Sequence, residues 1–160
     1  MKFKGFALLL YAMAATHLLN AEMVYAMGSS SDTPSAEKSV NSDFAQGKKQ
    51  IDAKEWDGAI TSFTKVVTKE PENADAYNYL GYANRNLGQY DAAFTAYNKA
   101  LSINPEHKGA NEYIGEAYLQ TDNLAKAEEH LKKLDEICTF GCAEYTMLQR
   151  AVAEYRGKNS

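Results

Sequence analysis

The chain has 160 residues, room for one domain, and a formal net charge of −4 from 17 basic and 21 acidic side chains. That balance excludes the basic stripe that nucleic-acid recognition needs. No basic run exceeds Lys48-Lys49 or Lys132-Lys133, which excludes a polybasic membrane patch.

The amino terminus reads as a targeting segment. Lys2 and Lys4 precede an apolar run over residues 6–19, interrupted only by Thr16 and His17. Val24-Tyr25-Ala26 then offers small residues at the −3 and −1 positions of a cleavage site. A positive start, a short apolar middle and a small-residue exit predict a secretory signal peptide over residues 1–26, cleaved after Ala26. The run is short for a membrane span, and no cysteine follows it to carry a lipid anchor. The expected location is periplasmic or secreted. Residues 27–41, rich in serine, read as a flexible linker without structure.

From there the chain repeats itself. Gly47, Gly81 and Gly115 stand 34 residues apart, as do Trp56/Tyr90/Leu124, Ala59/Ala93/Ala127 and Phe63/Tyr97/Leu131. Pro71 and Pro105 keep the same interval. Each unit reads as two helices. In the middle one, residues 76–87 carry Tyr79, Leu80 and Ala83 at helical spacing, and Gly88 is the stop. A second helix follows to about Ile103 and ends at Asn104-Pro105, because the residue before proline is driven out of the α region. Small Gly81, Ala83 and Ala93 are expected between the helices, with Tyr90 and Tyr97 filling the space beside them. A period in this range predicts stacked units burying apolar faces on one another, and so a binding surface rather than a reaction chamber.

The middle unit, with Tyr77, Leu80-Gly81, Ala83, Gly88, Tyr90, Ala93, Tyr97, Ala100 and Pro105, resembles the tetratricopeptide repeat. The first keeps Gly47, Trp56, Ala59, Phe63 and Pro71, but departs at Gln46 and Lys49. The third keeps Ile114-Gly115, Ala117-Tyr118, Ala127 and Leu131 and lacks the closing proline. The resemblance spans about residues 42–138. It implies an all-α, right-handed α-solenoid of three units, about 42–73, 74–107 and 108–141, followed by a capping helix and tail over 142–160.

Cys138 and Cys142 are the two cysteines of the chain. In an exported protein an even count suggests a disulfide, with one cysteine ending the sixth helix, the other starting the seventh, and Gly141 turning between them. A redox-active pair or a copper(I)-handling site is the competing reading. The C-x3-C spacing departs from the familiar redox motif, and His107 and His130 sit at no ligand spacing from the cysteines. The last helix presents Tyr145, Leu148, Val152 and Tyr155 on one face, as a terminal cap requires. This tail also looks like that of small exported bacterial proteins of the same repeat family.

In that family the first helix of each unit lines a concave groove. The resemblance therefore points to Phe44, Lys48 and Asp52, to Asn78, Tyr82 and Asn86 with Arg85 nearby, and to Glu112, Glu116 and Gln120. Such a groove is positive at its start and negative at its end, and suits an extended or helical peptide. It does not suit the carboxylate-terminated tails of chaperones, since Phe44, Tyr82, Glu112 and Glu116 stand where a basic and asparagine clamp is required. No phosphate loop, nucleophile–histidine arrangement or metal-helix motif is present. The expectation is a protein- or peptide-binding adaptor without cofactor, metal or catalytic residues, able to self-associate, with a thiol-redox or copper accessory as the alternative.

Overall fold

The computed structural model describes residues 33–159, so the expected leader and the first part of the linker lie outside it. The described residues form seven helices and no strand: α1 (Thr33–Asp52), α2 (Trp56–Lys69), α3 (Ala74–Asn86), α4 (Tyr90–Ile103), α5 (Lys108–Gln120), α6 (Leu124–Ile137) and α7 (Ala143–Lys158). Three hairpins, α1–α2, α3–α4 and α5–α6, stack in chain order, and α7 packs on both α5 and α6. None of these helices is long and apolar enough to cross a membrane.

One boundary differs from the sequence reading. Residues 33–41, expected to be linker, belong to α1. Pro34 fits the first turn of a helix, where its missing N–H has no acceptor to lose. Val40, 5% exposed, joins the cluster formed by Phe63 and Val66, and Lys69 of α2 meets Asp43 at 2.8 Å and Ser39 at 3.2 Å. The extra turns have something to pack against.

The helix ends repeat as faithfully as the core. Lys54, Gly88 and Asp122, 34 apart, all take a positive φ, of 58°, 73° and 57°. Each carries its hairpin out of the first helix, and the middle unit alone meets the left-handed requirement with glycine. The first helices of units two and three are capped in phase. Asn73 accepts from the Ala76 amide at 2.9 Å and the His107 ring from the Ala110 amide at 3.1 Å. His107 turns its other nitrogen to Asp75, 3.0 Å away, tying the third unit to the second.

The in-phase glycines explain how the helices close. A Cβ on Gly47 would stand 2.8 Å from the Phe63 ring, and one on Gly81 would penetrate the ring of Tyr97. Phe63 and Tyr97 are both wholly buried. In the third unit the expected partner, Leu131, is only half-buried. Gly115 instead faces Leu148 of α7, 2.6 Å from where a Cβ would sit. The last helix supplies the apolar plug from outside the repeat, with Val152 beside it and Tyr145 and Tyr155 on the margin.

Candidate functional face

The first helices of the units present a shared face, and ten candidate residues lie along it. Phe44 is half-buried, edge-on to Phe63 and Tyr79 with ring centres 5.4 and 5.8 Å apart. Lys48 crosses from α1 to α3, donates to the Tyr79 hydroxyl at 2.6 Å and lies 4.3 Å from the centre of that ring. Asp52, Asn86 and Gln120 are exposed. Asn78 is 5% exposed, and its side-chain oxygen is buried without a partner. Its placement is more enclosed than a solvent-facing groove residue would have.

The centre of the face is aromatic and ionic together. Tyr82 stands between Trp56, 5.9 Å away, and Tyr113, 4.9 Å away. Arg85 lies against Tyr82 and Tyr113, 5.4 and 5.6 Å from their centres, and pairs with Glu116 at 2.5 Å. Its side chain is 8% exposed, and its Nε has no partner. Burial opposes the Arg85 charge, but Tyr97, Glu116 and Tyr82 outweigh it and hold the guanidinium more firmly protonated than usual. Burial likewise drives the Tyr97 hydroxyl upward and the Tyr113 hydroxyl to about 12.

Glu112 is the anomaly. It is 4% exposed, and among the described residues no hydrogen bond or ion pair is made to its carboxylate. Burial first, then Glu116 and Glu144, push its carboxyl from 4.5 up to about 7, with Arg85 pulling the other way. The positive-to-negative gradient expected along the groove is thus largely compensated within the protein. Arg85 answers Glu116, Lys48 is held on Tyr79, and Glu112 sits near half-protonation at neutral pH.

Sequence reasoning missed three parts of this face. Trp56 was counted only as a repeat-signature position and Tyr113 was not singled out, yet both rings stay partly open beside Tyr82. The third part is α7. Where Arg85, Glu116, Leu119 and Gln120 approach Ala151 and Tyr155, they enclose a recess of about 360 Å³. The capping helix therefore extends the face as a further first helix would. Position 149, one period beyond Gly115, lies within it. His130 bonds Asn111 at 3.0 Å and stacks on Tyr118. Its neighbours Glu128 and Glu129 pair with Arg156 and Lys126.

At the far end Cys138 caps α6 and Cys142 caps α7, with Gly141 at φ 82° between them. Their Cα atoms are 5.6 Å apart and their sulfurs are within bonding distance. The Cys142 sulfur also accepts from the Tyr145 amide at 3.4 Å.

Helical hairpins in register, small residues at their contacts and a shared first-helix face define an α-solenoid of the tetratricopeptide class. Sequence models described as tetratricopeptide repeat match residues 44–107 and 84–152, together more than half of the chain, and the protein belongs to that family. Among solved structures, it is similar to the TPR2B domain of yeast Sti1 in its pHsp70 complex, at 18% identity and TM-score 0.70, over 76% of this chain and 98% of that one. It is also similar to PcrH in complex with the chaperone binding region of PopD, at 20% identity and TM-score 0.67, covering 78% and 96%. The first TPR of Spaghetti (RPAP3) bound to the HSP90 peptide SRMEEVD matches at 20% identity and TM-score 0.66, covering 75% and 94%. At such identities the likeness is one of fold. No curated protein matches the chain in sequence.

Proposed function

We propose that this protein is an exported adaptor that holds a peptide or protein segment on its first-helix face and has no catalytic role. The observation carrying this is the strip Trp56–Tyr82–Tyr113, three partly open rings with the paired Arg85 between two of them. Rigid aromatic side chains anchored on helices give contact area at low conformational cost. Support from the fold is general: the TPR2B, PcrH and RPAP3 structures are each complexes with another protein or peptide. A carboxylate-terminated tail is a poor candidate, because Arg85 is already matched to Glu116 and Glu112 lies beside them.

Crosslinking in the source compartment, followed by mass spectrometry, tests the face. Tyr82→Ala should weaken capture of the partner roughly tenfold, as loss of an aromatic anchor does. Lys65→Ala, exposed on α2 and away from the first-helix face, should leave capture nearly unchanged. Equal capture by wild type and Tyr82→Ala would remove the aromatic strip from consideration.

Export and the cysteines share a second measurement. Bonding distance between the sulfurs, on two helix caps, favours a structural disulfide over an open redox or copper(I) pair. In the chain-entropy picture so short a loop stabilises by about 2 kcal/mol, at the α6–α7 corner. The intact mass of the protein recovered from its compartment should equal a chain beginning at Met27, less two hydrogens. A chain still carrying residues 1–26, or one with two free thiols, would sink the corresponding half of this reading.

A further inference from the structure

The opposite side of the array has a groove between α2 and α4 whose chemistry the neighbouring repeat makes legible. It encloses about 570 Å³ and is lined mainly by apolar atoms, among them those of Ile60, Tyr77, Leu80 and Ala96. One period later the same three positions as Ile60, Asn84 and Ala96 are Phe94, Tyr118 and His130. There the rings fill the junction: Phe94 lies 4.6 Å from Tyr118, and Tyr118 stacks on His130 at 5.8 Å. The α2–α4 groove is thus a place built for rings and furnished with smaller side chains.

The chain also carries a ring with no place to go. Phe140, at the tip of the Cys138–Cys142 turn, is fully exposed at 103%, so it fills no groove of its own molecule. An aromatic ring at the apex of a tight, helix-anchored turn is presented with little freedom left to lose on binding. Charge agrees with shape. Lys99, which also pairs with Glu72 at 3.2 Å, is the one charged residue lining the groove, whereas beside Phe140 Glu136 is paired with Lys133 at 3.6 Å and Glu144 makes no ion pair among the described residues.

We propose that a second copy of this chain docks Phe140 into the α2–α4 groove. The contact joins the tail of one molecule to the first two units of the next, so it is heterologous. It closes a dimer where two molecules make it reciprocally, and extends a chain where they do not. It uses a face separate from the aromatic strip, so partner capture and self-association fail independently.

Sedimentation of the purified protein across a range of concentrations tests this directly. The average mass should rise with concentration. Phe140→Ala, and separately Thr95→Glu on the exposed rim of the groove, should each weaken association tenfold or more, about the effect of leaving one aromatic side chain unburied. Thr95→Glu sets a charged carboxylate on the rim where the ring would enter, and against Glu144 of the incoming turn. Far-ultraviolet circular dichroism should match wild type in both, since both side chains face solvent. An equal mixture of the two variants should regain association, because one retains the groove and the other the ring. A protein monomeric throughout, association indifferent to both substitutions, or a mixture no stronger than its components would each overturn the proposal.

Discussion

Replacing Gly81 with alanine should cost the fold about 3 kcal/mol, the upper end for forcing atoms into a packed interior. Thermal unfolding should fall by roughly 10 °C for a domain of this size. Ordinarily alanine is the better helix residue by up to about 1 kcal/mol, so the expected sign is opposite to propensity. The reason is the Tyr97 ring, wholly buried and lying where the new methyl would go. Gly157 provides the contrast. Nothing lies within 4 Å of a Cβ there, so Gly157→Ala should be neutral or slightly stabilising. At Gly115 the obstructing atoms are the end of Leu148, on a helix that can shift. Gly115→Ala should therefore loosen α7, seen as faster amide exchange there, before it lowers the midpoint of the whole array. Melting of Gly81→Ala at the wild-type temperature would show that the close approach of α3 and α4 is not needed.

The second large effect concerns protons. Glu112 holds its proton to about pH 7 in the folded protein and to about 4.5 in an ordinary setting. Between those values the native state binds the extra proton, so this group's contribution is fully present below pH 4.5. It is lost as pH rises through 7. Glu112→Gln mimics the protonated form at every pH. It should equal wild type near pH 4.5 and exceed it by about 2 kcal/mol at pH 8, a figure discounted from about 1.4 kcal/mol per unit for water at the open face. His130 works in the opposite sense. Burial lowers its pKa below 6.5, and stability tied to its neutral form is lost as pH falls. Comparing the Gln variant with wild type at each pH cancels that contribution. Chemical denaturation at the two pH values measures the difference, and a gap that is the same at both would mean Glu112 is charged throughout.

Much of this architecture was written in the chain as a period. Gly47, Gly81 and Gly115 announced the close contacts, Gly88 the turn, and Tyr145, Leu148, Val152 and Tyr155 the sealing face. What the period could not show is who meets whom across units. Lys48–Tyr79 and Arg85–Glu116 each span 31 residues, a distance set by how the hairpins stack and not by any spacing within a helix. For the same reason Glu112 read as a groove residue, since its position in the repeat is correct while its burial depends on α3 and α7. Lys54 and Asp122 hid the turn that Gly88 displayed, because lysine gives no sign of a left-handed backbone and aspartate, which tolerates one, is equally at home elsewhere. The helical start at Thr33 was obscured by the serines around it, and is explained by what Val40 and Asp43 reach.

The seat that Leu148 takes on Gly115 bears on how the molecule is made. Wherever the chain folds, the first two hairpins can close by themselves, each with its own plug in Phe63 or Tyr97. The third emerges with its glycine bare and must wait for the stretch beyond Cys142. Until that stretch docks, the end of the array is left with an unfinished apolar seam.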